Sequence, residues 1–358
     1  MAVHFHPLKV KKVYKETADC VIITFDIPEP LRNAFQFVQG QNITLKKHID
    51  GEDIRRSYSI CSAPFENELS VAVKKVGGGK FSTYANTDLR QGELIDVLPP
   101  TGKFNTPLVA TNKKNYCAFA VGSGITPIIS IIKSTLAIEP ASTFTLVYGN
   151  RSRSSIIFYE ALAGLKNKYL DRFSFVNILS KEKTETEINH GRINTLKLID
   201  LQKMIDFIIM DEIFICGPQD MLFTVKDFLM SSGVDEKKIH FELFTTPENK
   251  QAATKQKITT ENKGPNSKIT IQLDGRSFDF DLAYSGESIL DAALKQGADL
   301  PYACKGGVCC TCRAKLIEGK VKMDVNYALE VDELAKGFIL TCQSHPLTEK
   351  VVINFDSR

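Results

Sequence analysis

The chain changes its hydrophobic pattern twice. Through roughly the first 105 residues, short β-rich runs recur: Val21 to Asp26, Asn42 to Lys46, Arg55 to Cys61, Glu68 to Lys75 and Glu93 to Leu98. Gly, Pro, Asn and Asp separate them, and evenly spaced short strands with such punctuation predict a barrel or sandwich. From Asn115 onward the pattern becomes strand–helix alternation. Cys117-Ala118-Phe119-Ala120-Val121 is a continuous apolar run, as expected of a strand buried on both faces. Phe144 to Tyr148, Phe173 to Leu179 and Glu212 to Cys216 repeat the type, with helices expected over Ile128 to Leu136 and Ser155 to Asn167. This is the signature of an α/β domain with a mostly parallel sheet.

A polar stretch, Thr246 to Ser267, has no hydrophobic periodicity and reads as a linker. Beyond it, Ile269 to Leu273 and Ser277 to Phe280 alternate about Asp274-Gly275, a hairpin signal. Glu287-Ser288 opens a helix expected over Ile289 to Gln296, and Gly297 closes it. The expected organisation is therefore a β-barrel over 1–108, an α/β domain over 109–245, a linker over 246–267 and a small domain over 268–358.

Composition narrows the function classes. With 358 residues, 43% hydrophobic and 24% charged, the chain is ordinary for a multidomain globular protein. The net charge is only +3 and no Lys/Arg run is long, so nucleic-acid binding is not expected. The N-terminus lacks an apolar h-region, so no signal peptide is expected. Tyr116 to Ile132, the longest apolar stretch, is interrupted by Gly122, Ser123, Gly124, Thr126 and Pro127 and makes a poor membrane span. Five of the nine Cys fall late in the chain and the others are scattered, which suits a metal cluster plus buried thiols in a reducing cytoplasm.

The late cysteines carry the sharpest signal. Cys304, Cys309 and Cys312 are spaced C-x4-C-x2-C, with Cys342 further on, which is the plant-type [2Fe–2S] ligand pattern. Gly306 and Gly307 let the loop fold tightly with amides turned toward the sulfurs. A structural zinc site usually shows two C-x2-C knuckles, and only one pair is present here. Cys310 is surplus and reads as a spectator thiol. With Tyr302 to Cys309, these residues make the last domain resemble a plant-type ferredoxin, a β-grasp fold.

Two further sets of residues point to cofactors. Arg56-Ser57-Tyr58-Ser59 resembles the R-x-Y-S motif of the ferredoxin–NADP⁺ reductase family. Arg56 can make charge-assisted bonds to a flavin pyrophosphate, Tyr58 can pack on the flavin ring and Ser59 can bond near its reactive nitrogen. Val76 to Thr83 is a glycine turn entering a helix, whose free amides suit phosphate. Gly79 and Ser82 match the family's G-x-x-S segment, with Lys80 between them. Pro100 to Phe104 resembles the turn that ends the family's barrel, whereas Gln39 stands where the family commonly has Pro, which is expected to loosen that turn.

Gly122, Gly124 and Thr126, in Val121 to Pro127, allow close backbone approach to a dinucleotide. Cys216-Gly217-Pro218 resembles the family's C-G-P motif, which implies a cysteine near the nicotinamide C4. Phe241-Glu242-Leu243-Phe244 resembles its acidic–aromatic end, which implies an acid there. Arg151 and Arg153 follow the second parallel strand with no acid to bind a ribose 2′-hydroxyl, which favours NADPH over NADH, and Arg192 is another basic candidate.

The resemblance thus covers nearly the whole chain. It implies FAD, NADPH (or NADH) and a [2Fe–2S] cluster, with Cys216, Ser59 and Glu242 at the hydride-transfer site and Cys304, Cys309, Cys312 and Cys342 as ligands. The domain order resembles reductase components of multicomponent oxygenases, most of all the reductase subunits of phenylacetyl-CoA epoxidases, with an oxygenase as acceptor. Reductases of Rieske-type or steroid 9α-hydroxylase systems, or of a hybrid-cluster protein, are the alternatives. A non-catalytic ferredoxin-type carrier is the alternative from another class, and the intact flavin motif argues against it. Residues 266–358 hold 11 basic against 13 acidic side chains, so the ferredoxin part is expected to dock by charge.

Overall fold

A computed structural model describes residues 4–244 and 265–357. The described residues form two compact units, one of them His6–Phe244.

The first unit begins with β1 (His6–Thr17), β2 (Cys20–Asp26), β3 (Asn42–Ile49), β4 (Glu52–Ser59), β5 (Leu69–Lys74), α1 (Lys80–Thr87) and β6 (Leu94–Val97). The strands form one antiparallel sheet in the order β4-β3-β6-β1-β2-β5. Its two ends meet where Ile60 bridges Val71 and the Cys61 amide donates to the Ser70 carbonyl at 2.9 Å. The sheet therefore closes into the expected barrel, which leaves no edge for wrong pairing. Phe81, Ala85 and Leu89, on and just after α1, fill the barrel core beside Ile43, Val71 and Val97.

β1 has no counterpart among the strands expected from sequence. Two register shifts against β2 break its two-residue alternation, and many of its side chains are solvent-facing.

The second half of this unit comprises β7 (Asn115–Val121), α2 (Ile125–Ile138), β8 (Thr143–Asn150), α3 (Tyr159–Lys168), β9 (Phe173–Leu179), α4 (Thr195–Gln202), β10 (Glu212–Gly217), α5 (Gln219–Ser231) and β11 (Ile239–Leu243). All strand pairs are parallel, in the order β11-β10-β7-β8-β9. The helix expected from Ser155 begins only at Tyr159. Phe158, at φ 63°, turns the chain out of helical geometry just before it.

Barrel and parallel sheet share a core. Cys20, Ile22, Cys61, Ala72 and Phe104 pack with Ile128, Ile129 and Ile132 of α2. The Ser130 hydroxyl, fully buried, donates to the Ser62 carbonyl at 2.7 Å. A common apolar core holds the two halves as one body instead of leaving a hinge. The expected loosening at Gln39 does not occur. Gln39 is buried and its amide donates to the Thr106 carbonyl at 2.8 Å, replacing the stiffness of a proline with a hydrogen bond. Beside it, Gly40 sits at φ +79°, and a Cβ there would lie 1.9 Å from the Phe104 carbonyl oxygen.

The other unit holds β12 (Asn266–Leu273), β13 (Arg276–Ala283), α6 (Ile289–Lys295), β14 (Arg313–Glu318), β15 (Val321–Met323), α7 (Val331–Ala335), β16 (Phe338–Leu340), β17 (Ser344–Pro346) and β18 (Lys350–Asn354). The main sheet runs β13-β12-β18-β14-β16, with β12 and β18 parallel and β15–β17 as a separate pair. Asp274 and Gly275 both take positive φ, as a two-residue hairpin turn requires. Ser288 caps α6 by accepting from the Asp291 amide, and Ile289, Leu290 and Ala293 of that helix cover the sheet beside Ile269, Ile271 and Ile353. This is the β-grasp arrangement. Of the linker expected over 246–267, residues 246–264 lie outside the described residues, and β12 begins at Asn266.

Candidate active site and metal centre

In the parallel sheet, strand order reverses at β7: β8 and β9 extend one way, β10 and β11 the other. Ligands of open α/β sheets bind in the crevice at the carboxyl ends beside such a reversal. The turn after β7 and the end of β10 meet there. A Cβ on Gly124 would stand 2.0 Å from the Cys216 carbonyl oxygen, and one on Gly217 would stand 3.1 Å from Val121 Cβ. Gly124 is thus needed for the two strand ends to touch, while Gly217 packs closely against Val121. Gly122 lies at φ +56°, and its carbonyl accepts from the Tyr148 hydroxyl at 2.9 Å. The Thr126 hydroxyl, buried, donates to the Ser123 carbonyl at 3.0 Å and braces the turn. Pro218 forms the N-cap of α5, directing that helix's first amides toward the same edge.

Cys216 on β10 lies opposite Glu242 on β11 in the parallel register. From the barrel, Ser59 at the end of β4 donates its hydroxyl to Glu242 Oε2 at 3.2 Å. Residues from three strands, 183 positions apart at the extreme, therefore converge. Glu242 is half-buried. Burial raises its carboxyl to about 7, against the pull of the Ser59 hydrogen bond. Burial, reinforced by the Glu242 charge, raises the fully buried Cys216 thiol, so it stays protonated and cannot serve as a thiolate nucleophile. Phe244, the aromatic partner expected from sequence, is 38% exposed.

The raised carboxyl has a measurable consequence. Native Glu242 retains a proton that an unfolded chain, titrating near 4.5, has already released. The contribution of Glu242 to stability is therefore full at low pH and declines as pH rises from about 4.5 to about 7. Glu242→Gln removes this decline. At pH 8 it is expected to be more stable than wild type by about 1–3 kcal/mol, discounted for partial exposure, with little difference at pH 4.5. Paired thermal melts at both pH values check this.

On the barrel, Arg56 and Tyr58 lie two residues apart on β4 and point the same way. Arg56 is exposed, and its guanidinium donates to the neighbouring Arg55 carbonyl at 2.7 Å. The Tyr58 ring packs at 5.5 Å from Phe81 of α1, and burial raises its phenol so that it stays neutral. Ser57 donates to Asn42 at 2.7 Å. Gly79 caps α1, and the Ser82 hydroxyl accepts from the Val76 amide and donates to the Gly79 carbonyl. Ser82 thus shapes the glycine turn, while the first amides of α1 have no partner within the helix. Lys80 pairs with Glu52 at 2.7 Å. A cleft of about 540 Å³ opens beside this turn, lined by His48, Asp50, Gly78, Lys80 and Tyr84 among others. An exposed guanidinium and the N-terminal amides of α1 fit the pyrophosphate of a flavin dinucleotide.

Arg151 and Arg153 are exposed just past β8, and Arg153 donates to the Tyr159 hydroxyl at 2.8 Å and stacks over its ring. Arg192 is likewise exposed. Two residues at this edge carry no sequence signal: Lys74, whose ammonium lies 3.9 Å from a Cβ built on Gly122, and Tyr148, which holds that glycine's carbonyl. Neither belongs to a motif, because each acts from a different strand.

In the second unit, the Cys309 thiol donates to Cys304 Sγ at 3.2 Å, the Gly306 amide donates to Cys304 Sγ at 3.3 Å, and Cys342 bonds to both Cys304 and Cys312. Hydrogen bonds from Cys309 and Cys342 hold Cys304 far below the ordinary thiol range. The Cys304 partner raises Cys309 and Cys342 in turn. Cys310 points away and donates to the Ala328 carbonyl at 3.1 Å. Among the described residues, no three His, Cys, Asp or Glu side chains converge as ligands of a single ion. A [2Fe–2S] cluster makes no such demand, since each of its two irons takes two thiolates. Four clustered thiols with an inward amide fit that group.

Family models match three segments: an oxidoreductase FAD-binding domain at residues 7–106, an oxidoreductase NAD-binding domain at 119–227 and a 2Fe-2S iron-sulfur cluster binding domain at 271–347. The chain is 48% identical over 355 residues to one of the subunits of 1,2-phenylacetyl-CoA epoxidase from Escherichia coli (strain K12), covering 99% of this chain and 98% of that protein. It is 32% identical to the 3-ketosteroid-9-alpha-monooxygenase ferredoxin reductase component of Rhodococcus rhodochrous, covering 97% and 96%. The solved structure of phthalate dioxygenase reductase shares the fold, with a TM-score of 0.57, 22% identity and 98% coverage of both chains.

A closed flavin barrel, a parallel nucleotide sheet and a four-thiol β-grasp domain define an NAD(P)H-dependent flavin and iron–sulfur oxidoreductase. The chain belongs to the family of oxygenase reductase components that includes these Escherichia coli and Rhodococcus rhodochrous proteins.

Proposed function

We propose that this chain is the reductase component of a di-iron phenylacetyl-CoA epoxidase, taking electrons from NADPH. The observation that carries this is end-to-end likeness: 48% identity extends over 99% of the chain, all three domains included. The weaker likeness to a steroid monooxygenase reductase supports the same class of role with a different acceptor. When bound, flavin and cluster together convert a two-electron hydride donor into a one-electron supply.

The residues divide the work. Arg56, Ser57, Tyr58, Gly79, Lys80 and Ser82 hold FAD, with Arg56 neutralising the pyrophosphate and the Gly79–Ser82 turn presenting amides. Gly122, Gly124, Thr126, Gly217 and Pro218 shape the dinucleotide crevice. Cys216, Ser59 and Glu242 would border the hydride-transfer position, where the Ser59 hydrogen bond orients the carboxyl and burial keeps the Cys216 thiol neutral. Cys304, Cys309, Cys312 and Cys342 hold the [2Fe–2S] cluster. Domains over 1–108, 109–245 and 268–358, joined by a linker over 246–267, carry these sites. No helix among the described residues is long and apolar enough to cross a membrane. None of the nine cysteines is paired in a disulfide, which supports a cytoplasmic setting.

Two exposed arginines support NADPH. Arg151→Ala and Arg153→Ala are each expected to raise the KM for NADPH about tenfold, with NADH nearly unaffected, because each removes one charge-assisted bond to a 2′-phosphate. Steady-state kinetics with both nucleotides check this. The partner is tested by reconstitution with the epoxidase's oxygenase subunits, phenylacetyl-CoA and NADPH. Epoxide formation supports the proposal. Brisk cytochrome c reduction without epoxide would assign another acceptor.

A further inference from the structure

The three-cysteine loop and the fourth cysteine are far apart in sequence, and one side chain joins them. Gln343 follows Cys342, and its amide nitrogen, which carries two hydrogens, lies 3.1 Å from the Lys305 carbonyl, 3.0 Å from the Cys342 carbonyl and 3.6 Å from Cys342 Sγ, so the sulfur shares a hydrogen with one of the carbonyls. Lys305, next to Cys304, sits at φ 52°, a conformation a lysine rarely adopts without support. Gln343 Cγ lies 3.3 Å from a Cβ built on Gly307 in the same loop, and the Gln343 carbonyl accepts from the Asp324 amide at 2.9 Å. The side chain is therefore pinned at its backbone, packed along its stem and hydrogen-bonded at its tip.

We propose that Gln343 is a positioning residue that clamps the Lys305 loop to Cys342 and, by donating toward Cys342 Sγ, raises the reduction potential of the cluster. The physical sense is fixed by charge. Reduction adds one negative charge to the cluster, and a donor dipole at a ligand sulfur stabilises the more negative state. No other side-chain amide among the described residues bonds a ligand sulfur in this way. The proposal rests on the assignment of the four cysteines as ligands.

The test uses the full-length holoprotein and two substitutions, Gln343→Leu and Gln343→Glu, in potentiometric titrations followed by electron paramagnetic resonance, with the flavin couple as internal reference. Both are expected to shift the cluster midpoint downward relative to the flavin, Gln343→Glu further because it adds a negative charge, and to change the g-anisotropy. An unchanged midpoint in a variant that retains its iron overturns the proposal. Loss of iron from both variants overturns it too, because the residue would then be needed only for assembly. The wild-type signal separates the two readings: a [2Fe–2S] spectrum upholds the ligand assignment even where Gln343 fails.

Discussion

Cys304→Ser is expected to lower NADPH-driven cytochrome c reduction by on the order of 100-fold, while ferricyanide reduction stays within about twofold of wild type. Cys304 opens the three-cysteine loop, lies 3.2 Å from Cys309 Sγ and accepts from the Gly306 amide at 3.3 Å, a bond that persists when the thiols become iron-bound thiolates. A serine hydroxyl at that position is a poorer iron ligand than a thiolate. The barrel and the nucleotide sheet belong to a separate compact unit with its own core, so hydride transfer to flavin does not need the cluster. Ferricyanide draws electrons from the flavin, whereas cytochrome c requires the one-electron exit. Iron content and the two assays on one preparation decide the matter. Equal loss in both would mean that the substitution had damaged the flavin unit as well.

Gly124→Ala is expected to reduce kcat/KM for NAD(P)H by about 100-fold, because a displacement of roughly 1 Å at a reacting centre costs about that much. The added Cβ would stand 2.0 Å from the Cys216 carbonyl oxygen and 3.0 Å from the Gly217 amide nitrogen. Both are backbone atoms, and neither can rotate away as a side-chain tip could. The β7 turn and the end of β10 must separate, which moves Cys216 and opens the crevice proposed for the nicotinamide. Gly191→Ala is the useful contrast. It lies at φ +103° with nothing within 4 Å of its Cβ, so its effect is local strain and not a clash. Stopped-flow flavin reduction at saturating and limiting NADPH measures the effect of Gly124→Ala. A rate within about threefold of wild type would show that the strand ends can part without disturbing the site.

Most elements are legible in the chain because their hydrophobic periods are local. The apolar run at Cys117 to Val121 is β7, and Phe173 to Leu179 matches β9 end to end. The Asp274-Gly275 hairpin and the Ser288-capped helix also appear where the turn and cap residues placed them. β1 escapes such a reading because bulges interrupt its alternation, and β11 because its five residues are too short a run to stand out. Gln39 misleads for a different reason. A proline's stiffness is visible in sequence, whereas the Thr106 carbonyl that substitutes for it comes from 67 residues away.

The amino-acid sequence by itself determined the three-domain order, the four thiols with their spacing and the glycine turns, since each depends on neighbours within a short stretch of chain. Only the tertiary structure decided that Ser59 hydrogen-bonds to Glu242 and that Cys216 lies opposite it, that Gly124 is required by a carbonyl on another strand, and that Gln343 reaches across to Lys305. Side chains brought together by sheet register and barrel closure share no local pattern, so their meeting is a property of the folded chain alone.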